Sequence, residues 1–341
     1  MFKFVGVVIG TLLLVLIFLY FNIGVSDLTI TEPLSTGQVS LDSSNANLVP
    51  SVELPLSGSA PETNTKHIIP IEEIKRGCFR QDCIPSVDSP QFSKASELHS
   101  VLSPDSIGIA LSYKGVNRFY PFPMLETHEL VNDTVAGDSI LVSYCPLCGT
   151  GIVFEREVGG QAVEFGVSGM LWQSNLLMYN RAAKLEDRNL WSQVLGTAVV
   201  GNRAGEKLTI VPSDIMKFST WATIYPDGEV LNTGLPQDPY GGEYYRVAAH
   251  FEPNFDESAA LIPPDSYVYG IVVDNQPVAV TLSSTESGTK EFLVNDQPVI
   301  VTISDNGVVS FTGPAGNTIP DVEGFWFSWQ AAHPDTIVVN I

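Results

Sequence analysis

From residue 107 onward the chain is divided into short apolar or alternating runs, each bounded by Gly, Asn, Asp or Pro. That punctuation suits short strands and leaves little room for long helices. The runs cover residues 107–113, 117–122, 139–144, 151–154, 163–167, 176–179, 268–273, 278–282, 299–303 and 308–311. Helical signals are few and short, at 90–102, 213–221 and 328–332. The pattern predicts a mainly β (β-rich α+β) fold, with few short helices, packed into one compact unit.

Some of these runs recur. Leu130-Val131-Asn132-Asp133 returns as Leu293-Val294-Asn295-Asp296, and each copy is followed by an apolar strand-like run. Trp221-x4-Pro226-Asp227 returns with the same spacing as Trp329-x4-Pro334-Asp335, and the order of the segments is kept. This predicts two unequal β repeats, residues 67–260 and a shorter 261–341. Where the first has Cys145-Pro146-Leu147-Cys148-Gly149, the second has Ser304-Asp305-Asn306-Gly307. The cysteine turn is then a specialisation of the first repeat on a scaffold that can be built without it.

The N-terminus reads differently. Residues 4–21 carry no charge, a run long enough to cross the roughly 30 Å hydrocarbon core as a helix. A cleaved signal segment is the alternative, but the run ends in Tyr20-Phe21-Asn22-Ile23 with no small-x-small site. Residues 1–26 are therefore expected to form an N-terminal transmembrane helix as membrane anchor. Lys3 on one side and Asp27 and Glu32 on the other place the bulk of the chain outside the cytoplasm. Residues 27–66, rich in Ser, Thr, Pro, Asn and Gly, read as a flexible linker with a reach of about 35 Å. The net charge of −21, from 17 basic and 38 acidic residues, argues against nucleic acid as a partner.

The most distinctive chemistry lies in residues 144–154, YCPLCGTGIVF. Cys145 and Cys148 sit on a tight turn after an apolar strand-like run. The chain's four cysteines are spaced as two local pairs, Cys78 with Cys83 and Cys145 with Cys148. A dithiol–disulfide pair needs an accessible thiolate. Thioredoxin-type sites place such a pair at a helix start, whereas here Gly149-Thr150-Gly151 lead into a strand. A metal site is the second possibility, with zinc or copper as candidate metals and Cys145, Cys148, His128 and Glu129 as candidate ligands. A lone His beside a strand is more often a structural hydrogen-bonder, and a quiet structural pair is the third reading. Trp172, Asn175, Arg181, Trp191 and Gln193 follow the turn and could line a ligand groove, although such aromatics are more often core. Gly166-Val167-Ser168-Gly169-Met170 is not a nucleophile elbow, because Met170 stands where a glycine is required.

Taken in order, Thr127-His128-Glu129-Leu130-Val131-Asn132-Asp133, Ser143-Tyr144-Cys145-Pro146-Leu147-Cys148-Gly149, Phe165-Gly166-Val167-Ser168-Gly169 and Leu190-Trp191-Ser192-Gln193 resemble the DUF3179 family. Phe325-Trp326-Phe327-Ser328-Trp329 and His333-Pro334-Asp335-Thr336 fit the same family, so the resemblance covers about residues 68–341. It implies no activity. The chain departs from the family pattern at Asn180, where an acidic residue is expected. The sequence thus supports a membrane-tethered, extracytoplasmic protein with a thiol- or metal-dependent site at the CPLC turn. The alternative is a non-enzymatic surface binding or scaffold module with structural disulfides only.

Overall fold

The computed structural model describes residues 65–78, 80–98, 102–233, 255 and 261–341. The expected anchor over 1–26 and nearly all of the expected linker over 27–66 lie outside the described residues. Among the described residues no helix is long and apolar enough to cross a membrane.

The fold is mainly β, with three short α-helices, Phe122–Leu125, Phe218–Ile224 and Trp326–Ala332, among the described residues. One sheet pairs Asp214–Lys217, Ile107–Tyr113, Val116–Pro121, Glu229–Leu231 and Phe92–Lys94 in that order. An eight-stranded sheet runs Ile337–Asn340, Gln276–Thr281, Tyr267–Val273, Val322–Phe325, Thr150–Glu155, Asp138–Cys145 and Leu130–Val135, with Ile210–Val211 also on Thr150–Glu155. A third sheet carries Lys75–Arg76, Phe165–Trp172, Asn175–Asn180, Leu190–Ser192 and Thr197–Val200. A fourth is formed by Gly288–Val294, Gln297–Ile303, Val309–Thr312 and Thr318–Ile319.

The eight-stranded sheet separates two cores, and the two-residue period of its strands decides what each core receives. Along Asp138–Cys145, Ile140, Val142 and Tyr144 join a core with Phe119, Phe218 and Trp221. Leu141 and Cys145 join the other, with Cys148, Ile152, Phe154, Trp191, Trp326 and Trp329. Ser143 shares the alternation of Leu141 and Cys145, and is fully buried. Fully burying a large apolar side chain stabilises by roughly 1.5–3 kcal/mol, so the cysteine face is first of all a core face.

The similar segments resolve into one likeness and one mismatch. Asp214–Lys217, helix Phe218–Ile224 and Glu229–Leu231 form a strand–helix–strand unit. Its first strand is antiparallel to Ile107–Tyr113 and its last parallel to Val116–Pro121. Val322–Phe325, helix Trp326–Ala332 and Ile337–Asn340 repeat that arrangement on Tyr267–Val273 and Gln276–Thr281. The Trp-x4-Pro-Asp spacing falls at the same place in each. A Cβ on Gly270 would run into the Trp329 ring, so the second helix can seat only against a bare backbone there.

The Leu-Val-Asn-Asp match is not one of structure. Asn132 and Asp133 lie within strand Leu130–Val135, buried, while Asn295 and Asp296 form a hairpin turn with φ of 48° and 62°. Asn and Asp suit both roles, since they tolerate left-handed backbone and also make side-chain hydrogen bonds. The helix expected over 213–221 begins later, because the β-competent Asp214–Lys217 pairs with Ile107–Tyr113. The stretch expected to open a helix within 90–102 instead forms strand Phe92–Lys94 and a single 3-10 turn, Ala95–Glu97.

Candidate functional site

Strand Asp138–Cys145 ends at the first cysteine and Thr150–Glu155 begins just past the second, so Pro146 to Gly149 form the hairpin connection. Gly149 takes φ +63°, and a Cβ there would strike the Phe325 ring. The turn is closed by Cys148 N donating to Cys145 O at 3.3 Å and tied to the next layer by Phe325 N donating to Cys148 O at 3.0 Å. Both thiols are buried, at 1% and 0% exposure, and neither is disulfide-bonded.

The second sulfur is ringed by polar groups. Asn175 Nδ2 donates to Cys148 Sγ at 3.1 Å, and Thr150 Oγ1 lies 3.0 Å from it. The Ser328 hydroxyl, buried and without a well-formed hydrogen bond, lies beside the same sulfur. Gln193, fully buried, receives Thr150 Oγ1 and Asn175 Nδ2 on its Oε1, each at 2.7 Å. Its Nε2 donates to Thr150 O at 3.1 Å and to Ser143 Oγ at 3.3 Å. The first sulfur has a poorer setting, with a long contact from Cys145 Sγ to Ser174 O at 3.8 Å.

The two sulfurs therefore differ electrostatically. Burial alone would raise the Cys148 thiol, but interactions with Cys145, Thr150, Asn175 and Ser328 outweigh it and bring it down to about 7. Burial, reinforced by Cys148 and then Glu129, raises the Cys145 thiol well above its ordinary value. Burial, and secondly the Cys148 sulfur, push the Glu129 carboxyl up to about 8. Cys148 is therefore the sulfur of the pair that gives up its proton first, the division that thiol exchange uses.

Three of the ten non-glycine residues with left-handed backbone among the described residues adjoin this place. Glu129 has φ +59°, and Gln173 and Ser174 have φ of +54° and +58° in the turn that presents Ser174 O to Cys145. Gln173-Ser174 is a two-residue hairpin turn of the kind that Asp274-Asn275 and Asn295-Asp296 also form, so its backbone marks the turn rather than the site.

The other expected site residues are distributed differently. Asn175 and Gln193 belong to the sulfur's polar ring, and Thr150, Ser143 and Ser328 complete it although nothing in the spacing singled them out. The sequence signal for Thr150 and Ser143 was polarity on a strand face whose other members are apolar. His128 Nδ1 pairs with Pro85 O at 2.8 Å. Among the described residues no three His, Cys, Asp or Glu side chains converge to hold a metal ion.

Of the residues expected to line a groove, Trp172, Arg181 and Trp191 each have a structural partner. Trp172 Nε1 donates to Glu73 at 2.9 Å, and Trp191 Nε1 donates to Asn180 Oδ1 at 3.1 Å. Arg181 pairs with Asp88 at 2.5 Å and with Asp82 at 3.4 Å. Asn180, at the position expected to be acidic, accepts from Trp191 and from Asn189 N, so its oxygen does the accepting a carboxylate would do.

The model of DUF3179, a family of proteins of unknown function, matches residues 81–313, a span that contains Cys83, Cys145 and Cys148 and begins just after Cys78. No curated protein and no solved structure matches the chain.

Proposed function

The chain belongs to the DUF3179 family, and from that premise we propose that Cys145 and Cys148 form a reversible dithiol–disulfide centre in which Cys148 supplies the thiolate. The observation that carries this reading is the buried Cys148 sulfur with Asn175, Thr150 and Ser328 around it and a protonated cysteine three residues away. Burial limits the oxidant to a small neutral molecule, and a peroxide fits. The Cys148 thiolate attacks one peroxide oxygen and the O–O bond breaks, giving a sulfenic acid and hydroxide. Cys145 then attacks the Cys148 sulfur, the S–O bond breaks, and the Cys145 proton leaves with the oxygen as water. Two electrons pass from the sulfurs to the peroxide, and an external dithiol returns them.

The placement we propose is extracytoplasmic, tethered through residues 1–26. It is supported by the uncharged run over 4–21 and by the Cys78–Cys83 disulfide, a bond that persists in oxidising compartments. The likeness of the two strand–helix–strand units supports a duplicated origin, with the second unit completing the thiol site through Ser328. Truncation after residue 260 is then expected to abolish folding; a folded truncated chain with a normal Cys148 would contradict it.

A second reading has one observation in its favour, the complete burial of both thiols, which suits a quiet core pair in a binding or scaffold module. Peroxide treatment of the reduced full-length chain separates the two. The centre predicts rapid loss of both thiols, a mapped Cys145–Cys148 bond and full recovery with dithiothreitol. Thiols that react only after denaturation would establish the quiet pair. Stoichiometric zinc or copper in chain purified without chelator, with both thiols protected, would replace the redox centre with a metal site.

A further inference from the structure

We infer that Gln193 is a positioning residue of this site: it holds the Thr150 hydroxyl proton away from Cys148, leaving Asn175 as the sulfur's fixed donor. The inference rests on the dithiol reading and follows from counting protons and lone pairs around the ring.

The Asn175 amide is oriented by Val194 N, which donates to its Oδ1 at 3.0 Å. Its nitrogen therefore faces Cys148 Sγ at 3.1 Å and Gln193 Oε1 at 2.7 Å, with Thr150 Oγ1 a longer third acceptor at 3.4 Å, and its two protons go to the two nearer ones. The Gln193 amide is oriented as firmly. Its Nε2 faces the Thr150 carbonyl and Ser143 Oγ. The Ser143 proton already goes to Ile152 O at 2.8 Å, so Ser143 can only accept from Gln193. Gln193 Oε1 is thereby turned toward Thr150 Oγ1 at 2.7 Å. A carbonyl oxygen cannot donate, so the single Thr150 proton must point at Gln193.

The consequence falls on Cys148. With its proton committed, Thr150 Oγ1 presents lone pairs to the sulfur 3.0 Å away. That arrangement welcomes an S–H and opposes an S⁻. Ionisation of Cys148 requires the Thr150 hydroxyl to swing from Gln193 to the sulfur, and the Thr150 share in lowering the thiol becomes available only after that swing. Gln193 and Asn175 thus act on the sulfur with opposite sign, although both are buried amides in one network.

The test is the pH profile of Cys148 alkylation by iodoacetamide in the reduced full-length chain, with the modified residue mapped by mass. Q193M keeps the length and removes the acceptor. It is expected to move the midpoint down by roughly half to one pH unit, with a rise on the order of 3- to 10-fold in rate at pH 6. N175L is expected to move the midpoint up. In Q193M/T150V the downward shift should vanish, because the hydroxyl that causes it is gone. A midpoint near 7 in the wild type with no shift, or an upward shift, in Q193M would overturn the role of Gln193 and leave the dithiol centre standing. A folded wild type that never alkylates at Cys148 would overturn the centre itself. Should Q193M fail to fold, T150V decides alone: no rise in the midpoint, or a rise smaller than in N175L, supports the inference, because the swing away from Gln193 discounts the Thr150 share, and a rise as large as in N175L makes Thr150 a resting donor and refutes it.

Discussion

The two cysteine pairs of this chain differ by little in spacing and by nearly everything in surroundings. Cys78 and Cys83 are joined in a disulfide on a partly exposed loop. That loop is tied to strand Phe165–Trp172 by Cys78 N donating to Gly169 O at 3.0 Å and Asp82 N donating to Val167 O at 2.8 Å. Cys145 and Cys148 are unbonded and buried between a sheet and the helix Trp326–Ala332, with neutral hydrogen-bonding side chains around one sulfur. The first pair gives the chain a covalent staple. The second gives it a difference in proton affinity between two sulfurs. Spacing permits a local pair, and the neighbours decide whether it acts as a bond or as a reagent.

The largest expected break in this contrast is Asn175→Ala. It removes the fixed donor to Cys148 and leaves the buried Val194 N–H without its acceptor. The cost is about 3 kcal/mol of unfolding free energy, since buried donors stripped of partners lose about 1–3 kcal/mol each. Urea unfolding measures it. A cost under about 1 kcal/mol would mean that the ring is not a satisfied network.

Cys148→Ser sharpens the contrast by proton linkage. A thiol lowered in the folded state to about 7 from an ordinary 9.0 contributes stability that is present above pH 9 and lost as pH falls through about 7. Wild type should therefore gain on the order of 2 kcal/mol over Cys148→Ser as pH rises from 6 to 9, the linkage expected of a two-unit shift. Glu129 contributes in the opposite sense. Its carboxyl is raised to about 8, so its share is full below about 4.5 and lost as pH rises through 8. Both proteins carry the part of that trend that burial causes, so the difference between their pH–stability curves reports Cys148 together with its coupling to Glu129 and Cys145. Parallel curves would show that Cys148 has no lowered proton affinity.

Much of the frame could be read from the sequence. The strands at 107–113, 139–144, 176–179 and 299–303 appear as expected, because alternation and turn residues act locally. The thiol pair was equally plain. Its environment was not, because the ring is assembled from Ser143 and Thr150 on one hairpin, Asn175 after a turn, Gln193 beyond a strand and Ser328 far along the chain. No local pattern links positions that meet only when three layers stack. Leu293-Val294-Asn295-Asp296 misled for the reverse reason: identical letters served a strand in one place and a turn in the other.

Cys78→Ser with Cys83→Ser tests the staple. The bond spans a sequence separation of 5, a short loop for which chain entropy gives about 2 kcal/mol. Thermal unfolding should register that loss while the Cys148 alkylation profile stays in place. A displaced profile would show that the exposed pair reaches the buried one through strand Phe165–Trp172.

The smallest effect is expected at Arg181. Its guanidinium joins Asp82, Ser86 and Asp88, three positions around the stapled loop, and Tyr179 donates to the other oxygen of Asp82 at 2.6 Å. The carboxylates are more than a third exposed, so solvent screens these pairs, and Arg181→Met should cost about 1 kcal/mol. That cost should shrink in high salt, because the interaction is partly screened Coulomb attraction. The loop would still be held by its backbone bonds to Gly169 and Val167, but its disulfide would open more readily to an external thiol. Reduction of Cys78–Cys83 is therefore expected to quicken in Arg181→Met while peroxide oxidation at Cys145 and Cys148 keeps its wild-type rate. A matching change in both rates would mean that the two pairs share one opening motion, and the contrast between staple and reagent would then be one of degree.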